Sequence, residues 1–172
     1  MTEFFDIVDE EDNVIGRASR EECHRKHFIH RAVMFFIFDS ENRVLVNKRA
    51  AKKDFFGGQW SLVLGGHVVC GERYDAALVR EAEEEAGLRS RPFKMGFFKK
   101  RLPEERENVM VYGLVTDRKP SLLPEEIESG QFMTLAEAEE KMKTDKFIPE
   151  AQQLLPILKD YLMKGSKQPG TP

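Results

Sequence analysis

The stretch from Gly66 to Leu88 constrains this chain more than any other. It runs Gly66, five residues, Glu72, seven residues, then Arg80-Glu81-Ala82-Glu83-Glu84-Glu85-Ala86-Gly87-Leu88. No proline interrupts residues 72–86, and Gly87 stands where a left-handed C-cap stops a helix, so the pattern predicts a helix over 72–86. At about 100° per residue, Glu81, Glu84 and Glu85 fall within an arc of roughly 100°, so the carboxylates share one face. Leu78, Val79, Ala82 and Ala86 fill the neighbouring arc. Such a helix can pack on a sheet while its acidic edge stays at the rim of a cleft, with Glu83 pointing elsewhere.

Clustered carboxylates repel, and an exposed helix normally interleaves them with Lys or Arg four residues away. Something positive is expected beside them. Hard divalent cations bound through oxygen supply that charge, and Mg²⁺ typically uses a few carboxylates together with waters and substrate phosphates. A Glu-rich helix more often presents only a solvated face. Spacing separates the two readings: the segment fits G-x5-E-x7-R-E-U-x-E-E-x-G-U, with Ala82 and Leu88 at the usually aliphatic U places. The fixed letters of that pattern match by chance with a frequency on the order of 10⁻⁹ per starting position.

The segment resembles the signature of the Nudix hydrolase family, with every fixed position matched, and Gly57, Trp60 and Gly65-Gly66 extend the likeness over residues 28–135. The resemblance implies an α/β/α sandwich with a mixed central sheet, here with an added N-terminal hairpin. It implies hydrolysis of a pyrophosphate linkage in a nucleoside diphosphate joined to a second group, with Mg²⁺ or Mn²⁺ as cofactor. By the same resemblance, Glu81, Glu84, Glu85 and the Gly65 carbonyl are the metal ligands, and Arg80 orients the glutamates. Glu72 matches a position that assists the metal site in some members. The catalytic set is then Arg80, Glu81 and Glu84, with Glu81 the preferred general base and Glu125, Glu126 and Glu128 the alternatives in a later acidic loop. Arg49, within a basic stretch that also holds Lys48, Lys52 and Lys53, and His67 are the expected substrate contacts.

Asp6-Ile-Val-Asp9, Asn13-Val-Ile-Gly16, Ser19 to His24, His30-Arg-Ala and Lys48-Arg-Ala are similar to one branch of that family, the one containing isopentenyl-diphosphate isomerase. Those isomerases use a cysteine directly before the Gly-His pair, and here that place is Gly65. Without a thiol, carbon acid/base chemistry loses its central group. His24, His30 and His67 are similar to the imidazoles of the isomerase metal site, but no matching glutamates are evident around residues 106–109. The expectation is that His30 packs at a strand start and His67 contacts loop backbone or phosphate. An isomerase and a nucleotide-binding module without turnover are the alternative functions.

The rest of the chain reads as elements around this centre. Strands are expected at 4–8 and 14–18, joined by an acidic turn, and Ser19 caps a short helix through Lys26. Further strands are expected at 28–38, 43–47, 61–64 (ended by Gly65-Gly66), 92–100 and 109–115, with helices at 135–143 and 151–163. Cys70 reads as an inert thiol, Lys99, Lys100 and Arg101 as substrate-facing residues or an exposed hairpin tip, and Pro103 as a turn residue. A chain of 172 residues suggests one domain, drawn over 1–165 with a flexible tail at 166–172.

With 27 Lys+Arg against 30 Asp+Glu, clustered positive charge for nucleic acid is not expected. No uncharged run approaches the ~18 residues of a membrane helix. Two cysteines make no disulfide framework, so a cytoplasmic location is expected. Members of the family are often dimers, which makes a homodimer an open expectation.

Overall fold

The computed structural model describes residues 2–103 and 105–164. Its N-terminal hairpin is β1 (Phe4–Val8) and β2 (Val14–Ser19), paired antiparallel. The Asp9 side chain accepts the Glu11 and Asn13 amides, which closes the acidic turn between them. Ser19 Oγ accepts the Glu22 amide at 3.2 Å and starts α1 (Arg20–Lys26), and His27 in the left-handed region ends it.

The core is organised by β3 (His30–Phe38). Successive side chains of a strand point to opposite faces, and this strand is apolar on both. Val33, Phe35 and Ile37 pack with Ala77, Leu78, Ala82 and Ala86, which lie on α2 (Tyr74–Ala86). Ala32, Phe36 and Phe38 pack with Ala138, Leu154 and Leu158, which lie on α3 (Leu135–Thr144) and α4 (Ala151–Met163). The alternation therefore produces three layers, helix on sheet on helices, and the expected α/β/α sandwich is the observed architecture.

The sheet is mixed. β8 (Arg106–Val115) runs parallel to β3 along its length and carries β7 (Phe93–Arg101) antiparallel on its far edge. On the other edge of β3, β1 bridges at His30, β6 (Leu64–His67) pairs at Ala32 to Phe35, and β4 (Val44–Arg49) returns at Phe38. β4 in turn pairs with β5 (Trp60–Ser61) and β9 (Ile127–Met133).

Two differences from the sequence expectation bear on function. Gly65 and Gly66 do not end a strand; they lie inside β6, opposite Met34 and Val33. A side chain on Gly65 would run into the Val33 carbonyl, and one on Gly66 into the Glu81 carboxylate. The glycines let β3 and α2 approach from either side. β8 also begins at Arg106 rather than 109, which carries Glu107 into the sheet opposite His30. The expected tail at 166–172 lies outside the described residues.

Candidate functional site

α2 lays Glu81, Glu84 and Glu85 along one wall of a cleft of about 510 Å³. Arg80 ties this wall together. Its guanidinium donates to both oxygens of Glu72 at 3.1 and 2.9 Å, to Glu81 at 2.6 Å, to Glu84 at 3.4 Å and to the His67 carbonyl at 3.0 Å. Glu72 also accepts the Val69 amide, which holds it in the loop so that α2 begins at Tyr74 instead of residue 72. Glu83 turns away to Arg89, as the helical arc requires.

Burial pushes the Glu81 carboxyl up against the lowering effect of Arg80. Burial, then the charges of Glu81 and Glu126, push Glu85 to about 8, although the Gly65 amide donates to it at 3.1 Å. Arg80 reaches Glu81 and Glu84 but not Glu85, and an all-oxygen donor set of this kind is one that a hard divalent cation fills.

Arg20, Arg49, Lys52 and Lys53 line the same cleft, beside the acidic Glu3, Asp54, Glu125 and Glu126. Arg49 donates from Nη2 to the Phe55 carbonyl at 3.2 Å, while its buried Nε has no partner. Lys53 pairs with Glu126, and Lys48 with Glu128 at 3.0 Å, so two of the alternative bases are engaged by lysines. Glu125 lines the cleft.

A second cluster lies at the inner end, on the other face of β6. His24 from α1, His30 from β3 and His67 from β6 bring ring nitrogens within 4.8 Å of one another, and His67, Glu105 and Glu107 form an equally close set. Phe5 stacks on His30 and His67 and helps to hold both rings. His30 Nδ1 lies 3.1 Å from the Phe28 carbonyl; a carbonyl only accepts, so Nδ1 carries the hydrogen and Nε2 presents its lone pair.

That Nε2 and those of His24 and His67 are buried without a hydrogen-bond partner. Glu107 Oε1 is 3.0 Å from His67 Nε2 and 3.6 Å from His30 Nε2, and hydrogen-bond geometry is absent at both. Convergent lone pairs and carboxylate oxygens make a donor set suited to a borderline divalent ion such as Zn²⁺, Mn²⁺ or Fe²⁺. Burial raises the Glu107 carboxyl, but the Lys100 ammonium outweighs it and holds the group well below its usual range.

The sequence expectations for the inner cluster need correction. Glutamates do stand beside residue 106, at 105 and 107, and His67 turns its ring toward them. His30 sits at the strand start as expected, yet as a member of this cluster. Lys99, which is exposed, and Arg101 pair with Glu10, whereas Lys100 is buried among Glu105, Glu107 and Glu150 and lines the cleft. The Cys70 thiol donates to Asp6 at 3.0 Å, and that carboxylate pushes it up. Glu105, Glu107 and Glu150 were the unread members. The i, i+2 spacing of Glu105 and Glu107 is a strand signal, legible only once β8 is known to start at Arg106.

A three-layer sandwich with an arginine-braced glutamate helix beside a Gly-Gly strand defines a class, and comparison with known proteins agrees. A family model described as NUDIX domain matches residues 28–155, and the chain belongs to the Nudix family. An uncharacterized Nudix hydrolase of Streptomyces coelicolor is 33% identical over 172 residues, spanning 98% of this chain and 94% of its own length. An isopentenyl-diphosphate Delta-isomerase of Pectobacterium atrosepticum is 34% identical over 141 residues, 79% of each. Among solved structures, DR0079 of Deinococcus radiodurans superposes with a TM-score of 0.76 at 24% identity, covering 90% of this chain and 98% of its own. The NUDIX domain of Shewanella oneidensis NrtR, complexed with ADP ribose, gives 0.61 at 15% identity, covering 76% and 86%.

Proposed function

We propose that the chain hydrolyses a phosphoanhydride in a nucleoside diphosphate linked to a second group, with Mg²⁺ or Mn²⁺ as cofactor. The observation that carries this reading is that one cleft is lined both by Glu81, Glu84 and Glu85 and by the basic side chains of Arg20, Arg49, Lys52 and Lys53. A diphosphate bound with its cation presents negative oxygens and positive metal side by side, and such a cleft matches both. Glu81, Glu84, Glu85 and the Gly65 carbonyl would hold the cation, which when bound neutralises charge developing on the phosphoryl oxygens and makes water a better nucleophile.

The chain's own residues do the rest. Arg80 fixes Glu81 and Glu84; Arg49, with a donor unspent, and the lysines orient the phosphates. Glu81, buried and raised, accepts the water proton as the preferred base. His67 belongs to the inner cluster in this reading, which replaces its expected role as a phosphate contact.

Isomerisation of an isoprenoid diphosphate is the second reading, favoured by the imidazole–carboxylate cluster and opposed at Gly65. No cysteine fits there without moving the Val33 carbonyl. One panel separates the two: nucleoside diphosphate derivatives, including ADP-ribose, with Mg²⁺ and product analysis, beside isopentenyl diphosphate in deuterated water. Nucleoside monophosphate or orthophosphate release is expected, falling on the order of a hundredfold or more in Glu84→Gln and Glu85→Gln. Equal activity in both variants removes the metal role from α2, and deuterium on carbon replaces hydrolysis with isomerisation.

A further inference from the structure

Lys100 sits where a lysine is costly. Only 5% of its side chain is exposed, and its ammonium contacts Glu105, Glu107 at 3.3 Å, and Glu150. These carboxylates come from three parts of the chain: the residue before β8, β8 itself, and the residue preceding α4. Register places Lys100 directly opposite Glu107 across β7 and β8.

The two oxygens of Glu107 have different neighbours. Oε2 meets Lys100, whereas Oε1 faces His67 at 3.0 Å and His30 at 3.6 Å. Glu105 likewise gives Oε2 to Lys100. A carboxylate rotates about its last bond unless one oxygen is pinned; pinning Oε2 in both residues leaves the other oxygen of each unclaimed by the lysine. Glu150 holds the ammonium from the α4 side through Oε1.

We infer that Lys100, anchored by Glu150, is the positioning residue that presents Glu105 and Glu107 to the three imidazoles as one divalent-cation site. The inference rests on the imidazole cluster holding a cation, and it goes beyond the hydrolytic reading of the α2 ridge. Charge agrees with it: the carboxylates of Glu105, Glu107 and Glu150 less the Lys100 ammonium leave a double negative charge, which complements a divalent ion. Residues that orient metal ligands in this way commonly change affinity by about 10–100-fold when replaced.

Cobalt(II) titration followed by visible absorption tests this, because the bands report ligand set and geometry independently of turnover. Wild type is expected to show an inner-site band that His30→Gln abolishes. Lys100→Met is expected to weaken Co²⁺ binding by about tenfold or more and to shift the band, although removing a positive charge alone would tighten binding. Glu150→Gln, with the lysine retained, is expected to weaken it by about threefold to tenfold. Unshifted bands and equal or tighter binding in Lys100→Met overturn the inference and leave Lys100 as charge balance. If Lys100→Met does not fold, Glu150→Gln decides, and unchanged affinity and spectrum there overturn it. A wild type with no His30-dependent band removes the cation site itself, whereas variants matching a band-forming wild type remove only the positioning role.

Discussion

Gly66 faces Glu81 so closely that any Cβ would run into the carboxylate. Gly66→Ala is therefore expected to displace Glu81 and lower Mg²⁺-dependent turnover on the order of a hundredfold, since displacements of about 1 Å at a reacting centre have that effect. Steady-state kinetics beside a melting curve checks this; retained kcat would show that Glu81 does not need its observed position. At this scale the sequence was informative only where spacing is local. Glu81, Glu84 and Glu85 meet through helical geometry, which the spacing encodes. Lys100, Glu105, Glu107 and Glu150 meet through strand register and helix docking, which it does not, and a lysine with 5% exposure runs against the usual preference of lysine for solvent.

The short helix α1 brings His24 to the inner cluster and buries Cys23, and its start depends on the Ser19 hydroxyl. Ser19→Ala is expected to cost about 1 kcal/mol, lowering Tm by roughly 2–4 °C for a domain of this size. Differential scanning calorimetry reads the shift, and an unchanged Tm would mean that packing of Cys23, not the cap, holds α1. The boundaries of α1, α3 and α4 were legible because caps and apolar spacing are written in a few adjacent residues. β6 and the start of β8 were not. The glycines of β6 look like a strand end, and their place inside the strand follows from the close approach of β3 and α2. Glu107 and Asn108 carry polar side chains that the sheet interior accepts because Lys100, and Arg101 with Asp12, receive them. β9 has exposed residues from Glu128 to Gln131, so no alternation announces it.

For the molecule as a whole, the proposed cation site on α2 would couple stability to pH and to divalent cations together. Glu85 is raised to about 8 from its ordinary 4.5, chiefly by burial, so the folded protein holds a proton that the unfolded chain releases between those values. Stability of the metal-free protein is thus expected to fall as pH rises through that window. If Mg²⁺ binds as proposed, it supplies the missing charge, so its stabilising effect should be larger at pH 8.5 than at 5.5; equal Tm shifts at both would separate Glu85 from the cation site. The sandwich, the hairpin, the acidic helix face, the basic stretch around Arg49 and the three histidines were thus readable from the chain, while the meeting of those histidines with Glu105, Glu107 and Lys100 needed three-dimensional assembly. The central claim, that the α2 glutamates capture a divalent ion which grips a diphosphate, is tested most directly by calorimetric titration of Mn²⁺ in the presence of an α,β-methylene nucleoside diphosphate. The account predicts Mn²⁺-dependent binding of the analogue in wild type and its loss in Glu85→Gln. Identical titrations for the two proteins, or analogue binding that ignores Mn²⁺, would contradict it.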